Sequence, residues 1–186
     1  MEHIVGIDYG AKTSGNTVIA YFHNSTVCFD KIAKGKDTDK WLVNSLLEKN
    51  IKTVYLDAPL SLPAAYYDYG ENFHYRQCDI ETKAMSPMFL GGLTARAMSI
   101  KAKLDHISFV EVYPAHFQRT TIKSEFYKQD IDLFLEDYLK KITINLSSIP
   151  QNWHQVDALL ALTSGMRHQR NEHITIGNPN EGTIII

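Results

Sequence analysis

The chain has 186 residues, of which 44% are hydrophobic and 22% are charged, and its 19 Lys and Arg against 21 Asp and Glu give a formal net charge of −2. This composition is typical of a folded protein and excludes disorder, collagen and coiled coil as the main state. The length predicts one domain over residues 1–186, and the near-zero charge argues against a protein that coats DNA through bulk electrostatics.

The N-terminal part of the chain predicts three strands and then a strand–helix–strand unit. Apolar and β-branched runs predict strands at 3–8, 17–22 and 26–32, and a short polar turn joins the last two as in a hairpin. An amphipathic pattern predicts a helix over 38–50, and the run 52–57 predicts a fourth strand. A helix between two strands implies a parallel pair with a right-handed crossover.

The rest of the chain begins with a long irregular stretch. Residues 60–92 are rich in aromatics and show no clear period, so we expect an insertion loop, which in a compact domain is usually functional or mobile. The later predicted elements are helices over 93–104, 131–142 and 150–167, a strand over 107–113 and a small edge strand in the tail 174–186. This order predicts an α/β fold with a mixed five-stranded sheet and helices on both faces.

The sequence carries no sign of export or of a membrane. Its first ten residues lack the basic and apolar regions of a signal peptide. No apolar run reaches the ~18 residues that a membrane span needs. Cys28 and Cys78 form neither a CxxC pair nor a zinc pattern. We therefore expect a cytoplasmic protein with reduced thiols and no membrane partner.

Two acids end apolar strands of the predicted sheet. Asp8 ends the first strand and Asp57 ends the fourth. If these strands are parallel neighbours, both carboxylates emerge at the edge where open α/β sheets bind ligands. Acids in such places are costly unless they pair, cap a turn or hold a metal. For each acid alone, capping of the following turn is the simpler alternative.

A third acid, Asp157, lies in the last predicted helix. His154 precedes it by three residues and therefore shares its face. The same face continues through small residues such as Ala158, Ala161 and Gly165. We expect these small residues to let the helix approach the sheet and to bring Asp157 toward the other acids. His154 is also explained as an ordinary surface or core histidine.

Glu111, inside the strand 107–113, has three open alternatives. It joins the acids, faces solvent, or pairs with Arg76 or Arg96. Converging carboxylates need protonation or a cation between them, and oxygen ligands without a Cys/His set select Mg²⁺ or Mn²⁺ over zinc. Two such ions ~4 Å apart activate a water and stabilise the leaving oxygen of a phosphodiester. His154 would then donate or accept a proton, or neighbour the ligands.

The ordered motifs resemble the RNase H-like nuclease superfamily. The resemblance is carried by Gly6-Ile-Asp8-Tyr-Gly10, by the strand that ends in Asp57, and by His154-x-x-Asp157-Ala158, which is most like the helix motif of Holliday-junction resolvases. A wider set of motifs is more similar to a prokaryotic family of predicted nucleases with an RNase H fold. This set consists of Asp57-Ala-Pro59-Leu-Ser-Leu-Pro63, Arg76-Gln-Cys78-Asp79, Glu111-Val-Tyr-Pro114, Asp157-Ala158 and Gly177-x-Pro179-x-Glu181-Gly182.

The resemblance implies both a topology and a chemistry. It implies a sheet in the order 3-2-1-4-5 with strand 2 antiparallel. It also implies metal-assisted phosphodiester hydrolysis, with Asp8, Asp57 and Asp157 as ligands. Resolvase-like members often carry Glu at the second acid, where this chain has Asp57.

Three functional classes remain open from the sequence. The first is a Mg²⁺- or Mn²⁺-dependent nuclease acting on DNA or RNA, with Arg76, Lys12 and Arg96 as candidates for binding the substrate. A salt bridge to Asp79 is the simpler role for Arg76. The second is a nucleotide-binding relative of actin and hexokinase. Residues 8–15 resemble the first phosphate loop of that superfamily, although its members need two such domains and this chain is long enough for one. The third is a non-catalytic binding domain with the same fold.

Overall fold

Five strands form one mixed sheet in the computed structural model, which describes residues 3–186. These strands are β1 (Ile4–Asp8), β2 (Val18–His23), β3 (Thr26–Lys31), β4 (Thr53–Asp57) and β5 (Ser108–Glu111). Their order is β3-β2-β1-β4-β5, with β2 antiparallel to both neighbours and β1, β4 and β5 parallel. The expected α/β class, strand order and antiparallel second strand are therefore confirmed.

The helices differ from the predicted ones mainly at their ends and inside the expected loop. They are α1 (Thr38–Glu48), α2 (Gln77–Thr82), α3 (Pro87–Leu90), α4 (Gly92–Lys103), α5 (Pro114–Phe117), α6 (Ile131–Lys141) and α7 (Trp153–Gln169). The last helix begins three residues later than expected because Asn152 caps it, with its side chain accepting from the Gln155 N–H. None of the helices between residues 3 and 186 has both the length and the apolar character that crossing a membrane requires.

Two regions carry more structure than the sequence indicated. The stretch 60–92 contains a 3₁₀ turn at Ala64–Tyr67 together with α2 and α3, so it is folded and not an open loop. The tail forms a hairpin of β6 (Thr175–Asn178) and β7 (Gly182–Ile185), a separate two-stranded sheet, where one edge strand was expected. A single bridge between Val112 and Ile185 joins this hairpin to the chain just after β5.

The sheet separates two apolar cores, which places helices on both of its faces. Along β1, Val5 and Ile7 point into the core that α1 and α4 cover. Ile4 belongs to the opposite core, which α6 and α7 cover. Because side chains alternate along a strand, β1 is buried on both faces, as its nearly continuous apolar sequence indicated.

Small residues bring α7 unusually close to the sheet. A Cβ added to Gly6 would lie 2.0 Å from the Leu162 backbone nitrogen and 2.4 Å from the Ala158 carbonyl oxygen. A Cβ added to Gly165 would lie 2.3 Å from the Tyr55 ring. The expectation that small residues let this helix approach the sheet is confirmed. As a result, the first turn of α7 lies beside the end of β1.

Candidate functional site

Asp8 and Asp57 end neighbouring parallel strands in the same register. Their Cα atoms are direct partners in the ladder between β1 and β4. Strands in a sheet are about 4.8 Å apart, and partners in a parallel pair project from the same face, so the two carboxylates lie side by side. Both line a cleft of about 320 Å³ at the carboxyl ends of the strands. The structure therefore brings these two predicted site residues together.

Asp57 is the member of this pair without a neutralising partner. Within residues 3–186, its carboxylate has no hydrogen bond or ion pair of its own, and the nearby charges act on it only through space. Burial raises the pKa of Asp57 well above its usual range, and the negative charges of Asp8 and Asp157 raise it further, while Lys128 opposes them. A half-buried carboxylate without a partner, at the edge of a cleft, favours taking up either a proton or a cation.

Asp8 holds His154 at the end of the sheet. The His154 Nδ1 lies 2.6 Å from an Asp8 carboxylate oxygen, a contact between the first turn of α7 and the end of β1. This hydrogen bond, with the negative charges of Asp8 and Asp157, raises the pKa of the His154 imidazole. The imidazole ring remains 40% exposed, so it can exchange protons with a ligand in the adjoining space.

Asp157, the third predicted acid, is already occupied on both oxygens. The Tyr127 hydroxyl donates to Oδ1 at 2.7 Å, and the Lys128 ammonium pairs with Oδ2. Burial raises the pKa of Asp157, and Lys128 opposes that rise. Sequence reasoning missed Tyr127 and Lys128 because they lie in a turn before α6, 29 and 30 residues from Asp157, and no motif marks them.

The acids fit a divalent cation by chemistry but only in part by arrangement. Asp8 and Asp57 offer adjacent carboxylate oxygens, the ligand type that Mg²⁺ and Mn²⁺ prefer. In the described part of the chain, however, no group of three or more His, Cys, Asp or Glu is arranged to hold a metal ion. Asp157 in addition has both of its carboxylate oxygens bound, one to Tyr127 and one to Lys128.

Glu111 and Arg76 belong to a second cluster, although Glu111 and its neighbour Asp79 line the same cleft as Asp8 and Asp57. Arg76 is fully buried, and its guanidinium donates to Glu111 at 2.6 and 2.7 Å and to Asp79 at 2.7 and 3.0 Å. Of the three alternatives for Glu111, the structure therefore shows the ion pair with Arg76. The expectation that Arg76 binds substrate phosphates does not hold, because every donor of its guanidinium is bonded inside the protein.

The other two candidates for binding the substrate have different surroundings. Arg96 pairs with Asp39 at 2.7 Å and donates to the Gly10 carbonyl at 3.2 Å, so its charge is used to fix the loop after β1. Lys12 is the more available cation, since its side chain is 58% exposed and lies 3.5 Å from Asp37. Lys12 is thus the predicted substrate-binding residue that the structure leaves open to solvent.

In the loop over residues 8–15, the Ser14 hydroxyl is bonded inside the protein, whereas the hydroxyl of the exposed Thr13 has no hydrogen bond to any of residues 3–186. The Gly10 N–H donates to the Thr17 side chain at 2.9 Å, and the Ser14 hydroxyl donates to the Ala11 carbonyl at 3.0 Å. Ser14 also accepts from the Asn16 N–H. The Gly10 N–H and the Ser14 hydroxyl are thus already bonded, and none of these contacts favours the nucleotide-binding alternative.

Comparisons with known proteins do not assign this chain to a family. No family model, no curated protein and no solved structure matches it. The site is therefore interpreted from its own geometry and charges.

Proposed function

We propose that the protein is an RNase H-like nuclease that hydrolyses phosphodiester bonds in DNA or RNA with Mg²⁺ or Mn²⁺ at the ends of β1 and β4. The observation that carries this proposal is the in-register pair of Asp8 and Asp57, lying in a cleft beside a third acid, with Asp57 unpaired and its pKa raised. The strand order 3-2-1-4-5 supports the assignment to this fold, because it is the order that the resemblance implies.

The residues of the site divide the work between ligation, proton transfer and substrate binding. Asp8 and Asp57 would hold the cation, which when bound would supply positive charge to the phosphodiester and lower the pKa of a water. His154 moves a proton beside the same site, because Asp8 orients its ring and raises its pKa. Lys12 meets a flanking phosphate from the exposed loop after β1.

The test measures metal binding and cleavage on the same preparations. Wild type and Asp57→Asn are heated with and without Mg²⁺ or Mn²⁺ and then assayed on single-stranded, duplex and branched DNA and on RNA–DNA hybrid. We expect the metal to raise the Tm of wild type, and we expect Asp57→Asn to lose that shift and about 100-fold or more of the cleavage rate.

A matched control removes a carboxylate outside the cleft. Asp105, whose side chain is 91% exposed, should tolerate the change to Asn with the cleavage rate of wild type. The proposal is abandoned if no substrate is cut and neither ion raises the Tm of wild type. Stabilisation by ATP without cleavage would instead favour the nucleotide-binding class.

A further inference from the structure

Both oxygens of Asp157 are bound by one dipeptide from outside the sheet. Tyr127 and Lys128 lie in the turn between the helical segment Gln118–Ile122 and α6. The Tyr127 hydroxyl takes one carboxylate oxygen and the Lys128 ammonium takes the other. This turn therefore provides the charge and the donor that a bound ion and its water would otherwise provide.

The position of Lys128 is set by more than its ion pair. Its backbone is left-handed, with φ at 64°, a conformation that residues other than glycine adopt rarely. Its ammonium lies 5.1 Å from the centre of the Tyr127 ring and 5.6 Å from that of Trp153, the first residue of α7. The Lys128 side chain is still 46% exposed, so burial of its aliphatic part does not explain why the ammonium lies beside the acids.

The charge of Lys128 reaches beyond its direct partner. It opposes the rise in the pKa of Asp57, which lies on β4 and not on α7. It also opposes the rise in the pKa of His154 on the first turn of α7. The charge of Lys128 thus acts on Asp57 and His154 as well as on its direct partner Asp157.

We propose that Lys128 is a built-in competitor for the divalent cation: its ammonium occupies the cation position at Asp157, and the ion gains this third carboxylate only when Lys128 leaves it. The proposal rests on the proposed use of a divalent cation at this edge of the sheet. The observation behind it is that Lys128 and Tyr127 occupy both oxygens of Asp157, while residues 3–186 contain no group of three or more His, Cys, Asp or Glu arranged to hold a metal ion.

Removing the lysine charge should therefore strengthen metal binding. In Lys128→Gln, one oxygen of Asp157 is released and the acid group becomes more negative by one charge. Both effects favour a divalent cation, and we expect Mn²⁺ to bind about tenfold tighter than in wild type. Lys128→Arg keeps the charge and should bind Mn²⁺ as wild type does.

The experiment titrates Mn²⁺ into each protein and follows the free ion by electron paramagnetic resonance. Lys123→Gln is the matched control, because Lys123 lies in the same turn with a left-handed backbone (φ 55°), is exposed, and has no ion pair among the described residues. We expect its affinity for Mn²⁺ to stay within about twofold of wild type. In the double variant Lys128→Gln/Asp157→Asn, the gain in affinity should disappear, since the released carboxylate is gone.

The outcomes separate this proposal from the nuclease assignment. Tighter Mn²⁺ binding in Lys128→Gln supports the competition even if no substrate is cut, in which case the nuclease proposal alone fails. Metal-dependent cleavage by wild type, with equal Mn²⁺ affinity in wild type and Lys128→Gln, overturns the competition and keeps the nuclease. If neither protein binds Mn²⁺, the competition is overturned as well.

Discussion

The protein contains two groups of acids close to the ends of its parallel strands, and it neutralises them in opposite ways. In the arginine cluster, Asp79 and Glu111 enclose Arg76, whose side chain has no exposed surface. In the strand-end cluster, Asp57 has no hydrogen bond or ion pair to any of residues 3–186, and Asp157 is paired with Lys128, which is half exposed. Residues of the same type therefore serve structure in one place and remain available for chemistry in the other.

The completeness of hydrogen bonding distinguishes the two clusters. Arg76 donates through Nε and both terminal nitrogens, reaching Ser61 as well as the two acids, and Glu111 also accepts from the Leu60 N–H. No donor of the Arg76 guanidinium is therefore left to bind a ligand, although Asp79 and Glu111 line the same cleft as Asp57. Asp57 differs from them because its carboxylate has no hydrogen bond or ion pair to any of residues 3–186, so a charged ligand in the cleft can supply the missing partner.

The largest expected effect comes from removing the cation of the arginine cluster. Arg76→Met leaves Asp79 and Glu111 buried without a counter-charge, which typically costs about 3–5 kcal/mol of unfolding free energy. Urea denaturation followed by circular dichroism measures this loss. Arg76→Lys keeps a positive charge but loses the planar set of guanidinium donors, and its stability should lie between those of Arg76→Met and wild type.

A small loss of unfolding free energy in Arg76→Met would contradict this difference between the two clusters. A variant within about 1 kcal/mol of wild type would mean that the two acids are readily protonated or hydrated when Arg76 is gone. The arginine cluster would then be no more fixed than the strand-end cluster.

The second prediction disturbs the strand-end cluster through the backbone. Gly6→Ala places a Cβ against the backbone of α7, which cannot move aside as a flexible side chain does. We expect a loss of about 1–3 kcal/mol, the usual cost of overpacking a core. Because α7 carries His154 and Asp157, the NMR signals of the His154 ring should shift too, whereas the arginine cluster lies on other elements and should be unaffected.

Gly92→Ala is the control for this change. A Cβ at Gly92, the first residue of α4, meets nothing within 4 Å. Alanine there should be neutral or slightly stabilising, because it lowers the entropy of the unfolded chain. A Gly6→Ala protein as stable as Gly92→Ala would show that α7 does not depend on this close contact.

The contrast between the clusters also shows what the sequence can and cannot predict. Asp8, Asp57 and Asp157 were predictable because strand and helix periodicities place them at the ends or on one face of long elements. Lys128 was not, because it lies in a turn, where no period relates it to Asp157. The pairing of Arg76 with Glu111 was not predictable either, because the two residues are 35 apart in sequence. The alternation of side chains along β5 is compatible with several partners for Glu111.

Short elements account for most of the differences in the fold. The helices α2 and α3 have six and four residues, fewer than the window over which a helical period can be recognised. The tail was expected as one strand because Gly177 and Gly182 gave no hairpin signal by spacing alone. In the structure both glycines have positive φ, and because they lack a side chain the hairpin packs closely against Cys78 and Ser61.

The smallest expected effect tests the charge of Asp57 itself. The pKa of Asp57 is raised in the folded protein, so the folded state binds this proton more tightly than the unfolded state does. The resulting stabilisation is present below the unfolded pKa of about 3.9 and is lost as the pH rises through the folded value. Asp57→Asn cannot ionise, and without divalent cations it should be about 0.5–2 kcal/mol more stable than wild type at pH 7. The gain should vanish below about pH 4, as measured by urea denaturation at each pH.

The same substitution in the arginine cluster should have the opposite sign. Asp79→Asn removes a carboxylate that accepts two donors from the Arg76 guanidinium, so the variant should be less stable than wild type at pH 7. Opposite signs at Asp57 and Asp79 would mean that the negative charge of Asp57 destabilises the folded protein, whereas the negative charge of Asp79 stabilises it. Equal stability of wild type and Asp57→Asn at every pH would mean that water screens the charge of Asp57. The two clusters would then differ in their exposure to solvent and not in the repulsion between their carboxylates.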